Sequence, residues 1–118
     1  MSAEGPYGGE ERRASPRYKV NFHARWGGGD WAGREGTVGD LSADGCFILT
    51  DDLLDEGELV RVELELPDGG VLTLWGHVVY GLERTGFALQ FSSFSQEGAR
   101  QKLEGLLKRI AGGGSAVK

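Results

Sequence analysis

The strongest constraint on the fold is a regular alternation of apolar and polar side chains in several separate segments. In the segment at 18–26, YKVNFHARW, every second residue is apolar. The segment at 59–66, LVRVELEL, also alternates. A period of two places alternate side chains on opposite faces, so each segment predicts a β-strand with one buried and one solvated side.

Further apolar segments complete a series of six predicted strands, at 18–26, 34–41, 46–50, 59–66, 71–80 and 87–91. The chain has 21 glycines among 118 residues, far above the usual share of about 7%, and we assign many of them to turns. Short connections favour antiparallel neighbours, and closure into a barrel removes exposed strand edges. We therefore expect an all-β protein, a six-stranded antiparallel barrel, with a bulge or bend at Gly76.

One helix is predicted after the strands, because five apolar residues recur at spacings of three and four and so share one face: Ala99, Leu103, Leu106, Leu107 and Ile110. Ser93 with Gln96 fits a capping box, and Ser95 is the alternative N-cap. Glycines at 112–114 predict its end. Glycines at 98 and 105 would each weaken the helix by about 1 kcal/mol relative to alanine.

The length fits a single domain. We expect a flexible leader at 1–11, a folded domain at 12–111 and a flexible tail at 112–118. The single Cys46 cannot form an internal disulfide, and the first ten residues hold no apolar run typical of a signal peptide. These features predict a cytoplasmic protein without membrane insertion. A net charge of -5 argues against general nucleic-acid binding, but it permits an anionic ligand at a local basic patch.

The sequence predicts no catalytic centre, no metal and no cofactor. His23 lies on the polar face of its strand, and neither it nor His77 stands near a cluster of carboxylates or cysteines. Metal-ligand spacings of the C-x-x-C or H-E-x-x-H type are absent. Ser42 lies near Asp40 but has no G-x-S-x-G surroundings. We therefore expect a protein that is not an enzyme.

Positive charge is concentrated at one place in this acidic chain. Between 12 and 25 there are five of the 13 Lys and Arg residues and no acidic one. Arg13 and Arg17 flank Pro16, which favours an extended or turning loop from which both side chains can converge. Guanidinium groups suit phosphate and the Hoogsteen edge of guanine. The alternative is a solvated basic loop before the first strand.

A second local pattern, DLSADG at 40–45, joins two predicted strands. Asp40 could accept hydrogen bonds from guanine N1 and N2, and the Ser42 hydroxyl could supply one more bond. Gly45 could serve a positive φ or a close approach of the backbone to a ligand. The alternative is that these side chains only bind nearby backbone amides.

Together the two patterns, R-x-x-x-R before the first strand and D-x-S-x-x-G after the second, resemble the PilZ domain family. The later segments GELVRVELELPDG, LWGHVVY and GFALQF, followed by a helix, are also similar to that family. The resemblance extends from about Glu11 to Ile110. It implies a six-stranded β-barrel with a C-terminal helix that binds the second messenger cyclic di-GMP.

The resemblance also implies roles for particular residues. Arg13 and Arg17 would grip guanine and phosphate groups, while Asp40, Ser42 and Gly45 would line the barrel surface under the other guanine. In proteins similar to this one, a basic residue at the position of Arg12 accompanies two intercalated ligand molecules, so a pair per chain is expected.

One departure from the family pattern is Asp44, which stands where many members carry a second glycine. An acidic side chain there would weaken binding of the anionic ligand if it points inward.

The expected mechanism is a switch. The mobile arginine loop would fold over the barrel when the ligand neutralises its charge, and the output would pass to a protein partner or to another copy of the chain.

Two other functions stay open at the level of sequence. One is a PilZ-like adaptor that contacts proteins and binds no nucleotide. The other is a small barrel that binds single-stranded nucleic acid by stacking bases on Trp26, Trp31 and Trp75. The apolar strand position of Trp26 favours core packing instead, and the acidic net charge disfavours nucleic acid.

Overall fold

The computed structural model describes residues 16–28, 33–94 and 98–113. Arg12, Arg13 and Trp31 lie outside these ranges, as does the predicted leader. The elements in chain order are β1 Tyr18–Gly28, β2 Arg34–Leu41, β3 Gly45–Leu49, β4 Leu59–Glu65, β5 Val71–Leu82, β6 Gly86–Phe94 and α1 Ala99–Gly113.

The six strands form a closed antiparallel barrel in the order β1-β2-β3-β6-β5-β4. This confirms the predicted fold class. The expectation that consecutive strands are neighbours is wrong at one place, since β3 pairs with β6 and β4 pairs with β1. The connection between β3 and β4, residues 50–58, is longer than a tight hairpin and so lets the chain pass to the other side of the barrel.

The apolar rows predicted from the alternation fill the barrel interior. Val60, Val62 and Leu64 of β4 are buried, as are Val20, Ala24 and Trp26 of β1. The Trp26 ring meets the ring of Phe87 edge to face, with centroids 5.0 Å apart. Such pairs add about 0.5–1.5 kcal/mol to the burial of their area, so Trp26 is a core residue.

Strand β5 departs from regular pairing twice. The register with β6 shifts between Trp75 and Gly76, which confirms the predicted irregularity at this glycine, and again between Val78 and Tyr80. A β-carbon at Gly76 would lie 2.6 Å from the carbonyl oxygen of Gln90, closer than atoms can approach. The backbones of β5 and β6 therefore pass too near each other there for any side chain.

Helix α1 packs its predicted apolar face on the barrel, and the five residues of that face are all buried. Two expectations about its N-terminus are wrong. Ser93 belongs to β6, which continues to Phe94, so Ser93 cannot cap a helix that begins at Ala99. Gly98 precedes the helix with a φ of 83°, so it turns the chain into the helix and does not weaken the helix interior. Ser95 lies outside the described residues.

The two leucines of the segment at 51–57 lie in different environments. Leu54 packs against the core, whereas Leu53 is 62% exposed. Periodicity could not distinguish them because the segment has no regular secondary structure.

Candidate functional site

The structure brings the end of the arginine pattern next to the start of the D-x-S-x-x-G pattern. Arg17 lies exposed immediately before β1, and its Nη1 donates a hydrogen bond to Oδ1 of Asp40 at 2.9 Å. The pairing follows from the register, which places Tyr18 opposite Leu41 and Lys19 opposite Asp40. The side chains of Arg17 and Asp40 are 56% and 27% exposed, so the ion pair between them is weak. Another anion can therefore replace Asp40 as the partner of Arg17.

Ser42 organises the turn between β2 and β3. Its Oγ accepts hydrogen bonds from the backbone N–H groups of Asp44 and Gly45, both at 3.1 Å, and donates to the carbonyl oxygen of Gly45 at 3.3 Å. The residue is only 3% exposed. A hydroxyl has one proton and two lone pairs, so these contacts occupy its full bonding capacity. Ser42 thus shapes the site through the backbone.

Gly45 is required by the approach of two strands. A β-carbon there would lie 2.1 Å from the carbonyl oxygen of Leu89 on β6. Its φ lies outside the left-handed region, so of the two reasons considered from the sequence, positive φ does not apply. The carbonyl oxygen of Asp44 accepts a hydrogen bond from the N–H of Phe91 at 2.7 Å. The turn is therefore held firmly against β6.

A cavity of about 220 Å³ opens beside this turn. The motif side of its lining consists of Arg17, Ser42, Asp44 and Gly45. Asp40 is not part of the lining, but it holds Arg17, which is. Asp44 is exposed and borders the cavity. Arg17, Ser42 and Gly45 thus meet at one concave place although the sequence separates them.

The opposite wall consists of residues that the sequence motifs did not indicate: Val79, Tyr80, Ala88, Leu89 and Gln90. They belong to β5 and β6. The signal available in the sequence was the run VVY at 78–80, which breaks the alternation of its strand and coincides with the second register shift.

Cys46 lies buried beneath the site at the start of β3. Burial raises the pKa of its thiol to about 12; the carboxylate of Asp40 acts in the same direction, and the charge of Arg17 opposes it. The thiol is therefore protonated and inert at neutral pH.

The described residues also bear on metal binding, membrane crossing and the stacking of bases. No group of three or more metal-binding side chains comes together in residues 16–28, 33–94 and 98–113. Across the same ranges, no helix has both the length and the apolar character needed to cross a bilayer. Trp26 is 2% exposed, so it cannot stack on nucleic-acid bases.

Comparison with known proteins agrees with the fold and the motifs. The model of the PilZ domain matches residues 11–109. This chain belongs to the PilZ domain family. No curated protein sequence matches the chain.

Two solved structures share the fold. The structure of the Bacillus subtilis inhibitor of motility MotI/DgrA matches with a TM-score of 0.70 and 18% identity, over 88% of this chain and 53% of that one. The structure of MrkH from K. pneumonia in its apo state matches with a TM-score of 0.68 and 19% identity, over 94% and 55%. The PilZ chain thus spans about half the length of each.

Proposed function

We propose that this PilZ domain is a receptor for cyclic di-GMP that binds the ligand at the cavity beside the β2–β3 turn and signals through a protein partner. PilZ domains are receptor and adaptor domains that act through partners. The observation that carries the proposal is the meeting of Arg17 and Asp40, 23 residues apart in sequence and 2.9 Å apart in space, at the edge of this cavity.

The electrostatics suit an anionic guanine dinucleotide. The exposed guanidinium of Arg17 can bind a phosphate through two hydrogen bonds, or the O6 and N7 atoms of a guanine. The Asp40 carboxylate would then be released to accept hydrogen bonds from the N1 and N2 groups of a guanine. Because the Arg17–Asp40 pair is solvent-exposed, breaking it costs about 1 kcal/mol or less, so the ligand can displace it.

Arg12 and Arg13 lie outside the described residues, and their roles are part of the proposal. Ligand phosphates would draw both side chains towards the cavity, and this rearrangement of the N-terminal segment is the signal that a partner would recognise. Arg12 supports binding of two stacked ligand molecules per chain.

Isothermal titration calorimetry with cyclic di-GMP tests the proposal. We expect binding with a stoichiometry near two ligands per chain, and no binding of an RNA oligomer. Arg17→Ala should remove measurable binding, because one member of a charge-assisted contact to the ligand is lost. Arg25→Ala is the matched control, since Arg25 is an exposed β1 arginine that does not line the cavity.

Two results would contradict parts of this proposal. Wild-type protein that binds no cyclic di-GMP would favour the adaptor that works without nucleotide. One ligand per chain would refute the stacked pair while leaving the site in place.

A further inference from the structure

The cavity wall formed by β5 and β6 consists of residues that lie outside both sequence motifs. Outward side chains of β3, β6 and β5 form rows across the sheet, because residues paired across neighbouring strands lie side by side. Ala88 lies between Phe47 and Tyr80 in one row, and Gln90 lies between Gly45 and His77 in the next. Tyr80 and Gln90 are both exposed and both line the cavity.

A β-bulge orients Tyr80 towards this wall. The pairing of β5 with β6 skips a residue between Val78 and Tyr80, so Val79 and Tyr80 are both exposed although they are consecutive, at 43% and 44%. In a regular strand, one of the two would point into the barrel. Bulges redirect side chains and are common next to functional sites.

The Tyr80 ring is supported from one side. The ring of Phe47 lies 6.3 Å away, centroid to centroid, at an angle of 42°. Ala88, the cross-strand neighbour between them, is only 3% exposed although it lies on the outward face. Tyr80 is therefore a positioned aromatic surface at the mouth of a cavity, and such surfaces bind planar bases by stacking.

Gln90 adds a hydrogen-bonding group on the same wall. Its side chain carries a carbonyl acceptor and an amide donor in one plane. Guanine presents the complementary pattern, with O6 as acceptor and ring and exocyclic N–H groups as donors. Adenine lacks the O6 acceptor and carries an amino group there instead.

We propose that Tyr80 and Gln90 form a base-recognition wall, in which the Tyr80 ring stacks on one guanine of the ligand and the Gln90 amide selects guanine over adenine. This inference rests on the proposed function and adds to it the residues that determine base specificity. Arg17 supplies charge to the ligand, and the wall supplies stacking and base selection.

The test is calorimetric titration of the full chain and its variants with cyclic di-GMP and, in parallel, cyclic di-AMP. Tyr80→Ala should weaken cyclic di-GMP binding about tenfold or more, as loss of base stacking does elsewhere. Tyr80→Phe should bind like the wild type, whereas Tyr80→Leu, which keeps apolar bulk without a ring, should weaken binding like alanine. Gln90→Ala should weaken cyclic di-GMP binding about tenfold and leave the affinity for cyclic di-AMP unchanged. The ratio of the two affinities should therefore fall about tenfold.

Two matched controls separate the wall from general surface effects. Leu82→Ala removes an exposed apolar side chain of the same strand outside the cavity, and Gln101→Ala removes an exposed glutamine of α1. Both should bind like the wild type, and circular dichroism should show every variant folded.

The outcomes distinguish this inference from the proposed function. Wild-type binding together with unchanged binding in Tyr80→Ala and Gln90→Ala would overturn the wall and leave the receptor function standing. If Tyr80→Leu binds cyclic di-GMP as tightly as Tyr80→Phe does, stacking by the ring is overturned. Wild-type protein that binds no cyclic di-GMP would overturn both.

Discussion

The outer surface of the barrel has two unlike halves. On β1, β2 and β4 the outward residues form a charged half, with His23, Arg25, Glu35, Glu63 and Glu65 in adjacent rows. The other half is formed by β3, β6 and β5, which contain no Asp, Glu, Lys or Arg, and we call it the apolar half. Beside the polar Gln90 and His77, its outward residues are Phe47, Leu49, Ala88, Tyr80 and Leu82.

The interior of both halves is the same, since inward side chains are apolar on every strand. Burial therefore fixes the inner face everywhere and leaves the outer face free to specialise. The cavity lies where the apolar half meets the charge of Arg17. A ligand with planar bases and anionic phosphates would use both kinds of surface.

The largest expected effect breaks the seam between β3 and β6 in the apolar half. Gly45→Ala places a β-carbon 2.1 Å from a backbone oxygen, and backbone cannot move aside as a side chain can. We expect a loss of about 3 kcal/mol or more in the free energy of unfolding, measured by urea denaturation. Binding should fall with it because the turn is displaced.

The matched control for this change is Gly105→Ala. A β-carbon there meets nothing within 4 Å, and the position is inside α1. This variant should gain up to about 1 kcal/mol. If Gly45→Ala is as stable as the wild type, β3 and β6 do not approach each other as described.

A smaller effect is expected at the turn that joins the two halves. Ser42→Ala leaves the N–H groups of Asp44 and Gly45 without their side-chain acceptor, at a cost of about 1–3 kcal/mol. Asp40→Ala, which removes only an exposed ion pair, should cost about 1 kcal/mol or less while it weakens ligand binding. Urea denaturation would measure the loss of stability in both variants, and calorimetric titration would measure the loss of ligand binding. Equal losses of stability in the two variants would contradict this expectation.

The smallest effect belongs to the charged half. His23 of β1 contacts both neighbouring strands. Its Nε2 lies 3.3 Å from Oε1 of Glu35 on β2, and its Nδ1 lies 3.2 Å from Oε2 of Glu65 on β4. Hydrogen bonds to Glu35, and then to Glu65, raise the pKa of His23 above 6.5. The contribution to stability is therefore fully present below about pH 6.5, the value of the unfolded chain, and is lost as the pH rises through the raised folded value.

Because these side chains are exposed, the change should be well under about 1 kcal/mol. Urea denaturation at pH 5.5 and pH 8.5, compared with His23→Gln, would detect it. The variant should lose this pH dependence, and a dependence that persists in it would assign the effect to another group.

The sequence predicted the parts of this molecule that follow from local pattern. Alternation and short apolar segments between turns located the six strands, and spacings of three and four located the buried face of α1. The pairing of β3 with β6 was not predictable, since it depends on contacts between residues distant in the chain. Ser93 failed as a cap for a related reason: pairing with Trp75 keeps it in β6.

For the candidate site, the sequence indicated Arg12, Arg13, Arg17, Asp40, Ser42 and Gly45. The structure describes the last four of these and shows how they come together. It also separates their roles, because Ser42 uses its hydrogen bonds on the turn and Gly45 serves strand approach. Tyr80 and Gln90 could not be found from spacing. They reach the cavity through strand pairing and a bulge, and only the VVY run gave a local sign of it.

The reactivity of Cys46 gives a way to measure how often the seam between β3 and β6 opens. This residue is the chain's single thiol, it is buried beside the β2–β3 turn, and it stays protonated at neutral pH. An alkylating reagent can reach it only when β3 separates from its neighbours, so the rate of alkylation measures how often this part of the barrel opens. A ligand that bridges the turn and β6 would slow that reaction. The alkylation rate of Cys46 therefore reports how often β3 separates from its neighbours, with and without ligand.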